Sequence, residues 1–263
     1  MSDENNNNIP EDESEYATEE IIENPFKRVA LLLFSPRLVF ESLKMKSDHR
    51  DWIFPLVLVA IISLLVINAG YDYLKNDQIA AIESRIEKNT RLSDEQKAEQ
   101  LQNITEGFEK AAGIQRLIIS IISVASPFVS TLIIALMVWV AAHHFQKGTI
   151  EFGDTYKICA LSLLVSVPST IVKFPLIIYH ESFAEAKTSL GLLLPESMGE
   201  GFLFNFLNGI DIFTIWIIIL IGVGIAALTR FSFKKSVVPV FGMYFVFKLL
   251  SIIISSSLQS IGQ

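Results

Sequence analysis

The chain has 263 residues, of which 51% are hydrophobic and 19% charged, with a formal net charge of −7. Its single cysteine, Cys159, excludes an intrachain disulfide framework, and the acidic balance, with no basic stripe interleaved with aromatics, excludes a nucleic-acid-binding surface. Long apolar runs between polar segments exclude an ordinary soluble domain and predict an all-α polytopic membrane bundle, because backbone groups in hydrocarbon must be satisfied internally.

Residues 1–24 carry nine acidic side chains, no lysine or arginine, and the run Asn5–Asn8. So polar a segment cannot bury a core, and it reads as a disordered acidic cytoplasmic tail. It serves either as a docking tail for a basic partner or as a solvated leader. The acidic start and the short apolar run Val29–Phe34 do not make a signal peptide. Residues 25–51 follow with Asn24-Pro25 and Ser35-Pro36, each an N-cap joined to a first-turn proline, so two short helices are expected. Phe26, Val29, Leu33, Leu38 and Phe40 alternate there with Lys27, Arg28, Arg37 and Lys44. Such interfacial helices either lie among the headgroups, basic side chains on anionic lipid, or pack under the bundle.

The membrane domain, residues 52–258, contains five apolar runs, at about 52–68, 117–142, 158–179, 210–229 and 237–258, each near the roughly 20 residues a helical span needs. Between the first two lies an insert, residues 72–116, expected to form an extracytoplasmic helical hairpin. Ser93-Asp94-Glu95-Gln96 is a capping box that starts its second arm. Ile79, Ile82 and Ile86 on the first arm and Leu101, Ile104, Phe108 and Ala111 on the second recur at helical spacing, and the two stripes either face each other or meet a partner.

Basic residues cluster before the first run (Lys27 to Arg50) and between the fourth and fifth (Arg230, Lys234, Lys235), whereas the loop after the third holds only Lys187 among four glutamates. The positive-inside rule then places the N-terminus in the cytoplasm and the C-terminus outside it, in the cell membrane if the host is bacterial.

Ionisable groups at membrane depth are expensive and are functional candidates by default. Counted at about 1.5 Å per residue from the cytoplasmic ends, Lys173 lies about 24 Å deep, Lys248 about 18 Å and Asp211 about 28 Å. Lysine stems are long enough for all three heads to meet. Asp211 either pairs with one or both lysines as a lock, or the three line a polar cavity for an anionic solute or headgroup. Pro168 and Pro175 each remove a helical hydrogen bond, so the third run is expected to kink or break. Gly222 and Ala226 form a small-xxx-small pair suited to close helix contact. His143 and His144 diverge on a helix without metal-spaced partners, and no phosphate-binding glycine loop or nucleophile motif is present. No catalytic, metal or cofactor site is therefore expected.

Three segments carry a resemblance: "LFSPRLVFESLK" followed by Trp52-Ile-Phe-Pro, then "GTIEFGDTYKICALSLLVSVP", then "DIFTIWIIILIGVGIAALTRFSFKKS". Over residues 25–258 the chain resembles bacterial members of the Yip-one (Ypt-interacting protein) domain family, five-span proteins with cytoplasmic N-termini. The resemblance implies a membrane protein without an assigned reaction and without catalytic residues. Eukaryotic relatives are proteins of Golgi and endoplasmic-reticulum membranes associated with Rab-type GTPases, but their Asp-Leu-Tyr-Gly-Pro motif is absent here. The implied role is a non-enzymatic scaffold or adaptor in the bilayer, engaging proteins or lipids through residues 25–51 or the hairpin, and compatible with a homo-oligomer. The rivals are a small transporter or channel built on Lys173, Asp211 and Lys248, and a permease subunit that exposes the small face around Gly222 and Ala226.

Overall fold

The computed structural model describes residues 24–146, 150–194, 202–229 and 231–261. The acidic tail of residues 1–23 lies outside them. Among the described residues ten α-helices carry the fold: α1 (Pro25–Leu32), α2 (Pro36–Met45), α3 (Arg50–Ala69), α4 (Tyr71–Glu87), α5 (Asp94–Gln146), α6 (Phe152–Ser162), α7 (Ser166–His180), α8 (Phe202–Asn208), α9 (Ile212–Leu228) and α10 (Phe233–Ile261). Four segments are long and apolar enough to cross a membrane: Arg50–Ala69, Asp94–His143, Phe152–His180 and Phe233–Ile253. The apolar helix α9 is shorter, at 17 residues.

Local chemistry sets the helix starts. Asn24 accepts a hydrogen bond from the amide of Phe26, and Pro25 occupies the first turn of α1. Pro36 opens α2 in the same way, but the Ser35 hydroxyl makes no cap bond. At the start of α5 the amide of Ser93 donates to Gln96 Oε1 at 3.0 Å and the amide of Gln96 donates to Ser93 Oγ at 3.3 Å, a reciprocal capping box. From that cap α5 runs unbroken for 53 residues, about 80 Å at helical rise. The second arm of the insert and the second apolar run are thus one rod, with no boundary near residue 117. Helix α4 packs back on it. Tyr71 donates to the carbonyl of Ala112, and Arg116 holds both the side chain and the carbonyl of Asn68 while lying over the Tyr71 ring.

The third run is broken where its prolines require it. Pro168 cannot donate to the carbonyl of Leu164, and a 3₁₀ turn, Leu163–Val165, separates α6 from α7. Pro175 lies inside α7. Helix α7 ends with Glu181 in the left-handed region at φ 53°. The turn beyond docks on α4: Asp77 accepts from the Ser182 hydroxyl and from the amides of Phe183 and Ala184. The Phe183 ring lies so close to Gly70 that a Cβ there would fall 2.8 Å from it.

Helix α9 is the axis of the core, packed against α10, α2 and α6. Its two glycines face different neighbours. A Cβ on Gly222 would lie 2.7 Å from Val237 of α10, and one on Gly224 would lie 2.5 Å from Ile158 of α6 and 3.2 Å from Phe40 of α2. Gly222 is therefore in contact with α10 of the same chain. Ala226 is half-buried on the same helix.

Helix α2 belongs to the core: Val39 and Phe40 are fully buried, and Leu43 nearly so. The cause lies in Arg28. Of the two places left open for it, the headgroup layer or the underside of the bundle, Arg28 takes the second: it is 1% exposed, as is Asp51, with which it forms an ion pair. The same guanidinium donates to Ser42 Oγ at 3.1 Å and to the carbonyls of Ser42 and Lys46. Asp51 Oδ2 accepts from the amide of Asp48 at 2.7 Å. One arginine thus joins α1, the end of α2 and the start of α3.

Removing one partner of a buried pair strands the other charge, so Arg28→Ala or Asp51→Ala is expected to cost about 3–5 kcal/mol. The double variant Arg28→Met/Asp51→Leu should recover part of that loss, read by unfolding in detergent micelles. Gly224→Ala should cost about 1–3 kcal/mol through overpacking against Ile158 and Phe40. Gly113→Ala, which meets open space, should be neutral or gain up to about 1 kcal/mol.

Candidate functional site

The intramembrane polar residues singled out by sequence gather where α7, α9 and α10 approach one another, at the end of the bundle away from α1 and α2. Asp211 is the N-cap of α9, and its Oδ1 accepts from the amide of Phe213 at 2.8 Å. A carboxylate at that position satisfies a free first-turn amide and faces the positive end of the helix dipole. The other oxygen, Oδ2, lies 2.7 Å from the Lys173 ammonium and accepts from the Thr188 hydroxyl. The Lys173 ammonium also sits 5.9 Å from the centre of the Phe213 ring, within cation–π range.

Backbone pairing holds the connecting loop in place. Ser189 and Asp211 form an isolated antiparallel bridge, in which the amide of Leu190 donates to the carbonyl of Ile210 at 2.9 Å. The Ser189 hydroxyl donates to Asn208 Oδ1 at 2.7 Å. On α10, the Tyr244 hydroxyl donates to the carbonyl of Gly209 at 2.8 Å, tying α10 to the residues just before the cap.

Lys248 follows Tyr244 by one turn and takes a different place from Lys173. Its stem crosses Gly209, where a Cβ would fall 1.8 Å from Lys248 Cε, so the lysine passes only because residue 209 has no side chain. Among the described residues Lys248 makes no ion pair. The structure brings Lys173 and Asp211 into contact and leaves Lys248 against Gly209, which precedes the carboxylate by two residues. Pro168 and Pro175 flank Lys173 on the broken third segment.

Sequence reasoning missed Thr188, Asn208, Gly209 and Tyr244, which complete this node. The cap itself was readable, since an aspartate directly before an apolar helical run is a start signal. Thr188 and Tyr244 come from elements far apart in sequence, and no local pattern marks them. The node contains a neutralised carboxylate, hydroxyls and a lysine, but no paired acid and base. Among the described residues no cluster of three or more His, Cys, Asp or Glu side chains is arranged to hold a metal ion. Cys159, the lone thiol, is buried in the core on α6.

Comparison with known proteins adds one match. The family model described as the Yip1 domain matches residues 30–255. No curated protein and no solved structure matches the chain.

Asparagine caps a helix about as well as aspartate but cannot neutralise a lysine, so two variants separate the two roles of Asp211. Asp211→Asn should lose the ion pair alone. Asp211→Ala should lose the cap as well and fall about 1 kcal/mol further in thermal stability in micelles or nanodiscs. Lys173→Met should then add little to Asp211→Asn, since both remove the same pair.

Proposed function

The chain belongs to the Yip1 domain family, and on that premise we propose that it is a non-enzymatic membrane scaffold or adaptor of the bacterial type, with five spans. Helix α9 supplies the fifth span beside the four longer segments, with the N-terminus in the cytoplasm and the C-terminus outside. The observation that carries the reading is the saturation of Asp211: its oxygens are taken by Lys173, Thr188 and the Phe213 amide, all from the same chain. A carboxylate so occupied locks helices together and leaves little capacity for a passing solute. What remains to engage partners lies at the two ends. Near one end Phe26, Phe34 and Met45 are exposed beside the core-packed α2, and at the other the α4–α5 arm extends well past the length of a span.

A second reading, a small transporter or channel, is favoured by one observation: Lys248 has no ionic partner among the described residues and is only half-buried. It requires the lysine to face a hydrated path.

In-membrane photocrosslinking from Phe34 and from Asn103 on the α5 arm should yield a reproducible protein adduct from at least one position. Adducts from neither, together with solute uptake lost in Lys248→Met, would move the assignment to transport. Topology has its own readout. Cys159 is 3% exposed, so the unmodified chain should resist a membrane-impermeant maleimide. Arg91→Cys should label in intact cells and Ser232→Cys only after permeabilisation; the reverse pattern would invert the orientation.

A further inference from the structure

A second polar feature lies at the opposite end of the bundle, unconnected with Asp211. A cleft of about 410 Å³ opens where the α2–α3 junction meets the start of α6. Trp52, from the first turn of α3, and Phe152 and Tyr156, from α6, form its aromatic wall. The Trp52 and Tyr156 rings meet edge to face, 5.5 Å apart at 71°, and the Tyr156 and Phe152 rings are 6.3 Å apart. Aromatic rings lining one space can attract an organic cation through their π faces. Asp48 lies on the rim. It pairs with the largely exposed Arg50 at 3.7 Å, and the carboxylate adds to the attraction for a cation.

The other side of the cleft suits an anion. Lys157 is only 20% exposed, and its ammonium donates to Asp154 at 3.2 Å. An ammonium has three donors, and Lys157 lines the cleft, so it can donate to a ligand there as well as to Asp154. Gly153, which also lines it, stands in the first turn of α6, where amides have no helical acceptor; the side chain of the preceding N-cap residue, Glu151, makes no cap bond. A Cβ on Gly153 would meet nothing within 4 Å, which leaves the approach to that amide open. The cleft therefore offers a cation site and a phosphate site side by side. It also sits at the starts of two membrane-length segments, Arg50–Ala69 and Phe152–His180, where a lipid headgroup would be met.

We propose that this cleft binds a zwitterionic phosphoamine, the headgroup chemistry of an amine-bearing phospholipid, with the amine against Trp52, Tyr156 and Asp48 and the phosphate on Lys157 and the Gly153 amide. A purely anionic headgroup would make no use of the aromatic wall and would be repelled by Asp48. The inference goes beyond the scaffold reading and does not depend on it.

The test is native mass spectrometry of the full chain in micelles, titrated with dihexanoyl phosphatidylethanolamine, dihexanoyl phosphatidylglycerol or free phosphoethanolamine. The ethanolamine lipid should bind about tenfold more tightly than the glycerol lipid, and Trp52→Leu and Lys157→Met should each lose about that factor. Because Trp52 and Lys157 are partly buried, Asp154→Asn is the fold-sparing check. It removes the carboxylate that pairs with Lys157 and should tighten binding. Binding of the lipid without free phosphoethanolamine identifies membrane lipid as the source, and equal binding of both identifies a soluble phosphoamine. Equal binding of the two lipids, or affinity unchanged in Lys157→Met and Asp154→Asn, would overturn the proposal.

Discussion

The buried contact between Arg28 and Asp51 is the constraint from which much of this bundle's architecture follows. Neither protein core nor hydrocarbon can solvate a lone guanidinium, so its charge and its donors must be met by fixed groups. They are met by Asp51, by Ser42 and by the carbonyls at the end of α2. Satisfying one side chain thus brings three helices to one point and turns α2 so that Phe40 enters the core. Phe40 reaches Gly224 on α9, and Gly224 in turn admits Ile158 of α6. The position of the central helix is in this way linked to a polar contact at the bundle's edge.

The far end is organised by similar physics with different parts. Asp211 starts α9 and binds Lys173 across to α7, while Tyr244 and the Lys248 stem close over Gly209 from α10. Asp77 holds the turn after α7 against α4, and Arg116 holds the α3–α4 corner against α5. Between these ends the interior is mostly aliphatic and aromatic. Van der Waals contact at small residues can join helices in hydrocarbon but specifies their relative height poorly, whereas directional polar contacts near the ends specify it well. The result is a framework with fixed ends.

Several features were legible because they depend on neighbours in sequence. The apolar runs, the Asn24 cap, the Ser93–Gln96 box and the proline-linked break before Pro168 are all set within a few residues. Depth allowed the Lys173–Asp211 contact, because both residues lie toward the same end of their helices, but did not choose between Lys173 and Lys248 or between a lock and a polar cavity. Lys248 at similar depth did not join the ion pair: depth fixes height but not the direction a side chain takes around its helix. The place of Arg28, among headgroups or under the bundle, stayed open in sequence for a related reason. A cation between apolar residues looks the same whether it meets lipid phosphate or a carboxylate 23 positions later.

By itself the sequence determined that this protein is a helical membrane bundle, where most of its helices begin, and which residues would be costly at depth, because hydrocarbon imposes those conditions on any chain of this pattern. Only the tertiary structure decided which cation found which carboxylate, that Gly222 and Gly224 face different neighbours, and that the aromatic rings of α3 and α6 share a cleft with Lys157. Those outcomes depend on how helices rotate about their own axes and against one another, and that rotation is settled by contacts between residues far apart in the chain.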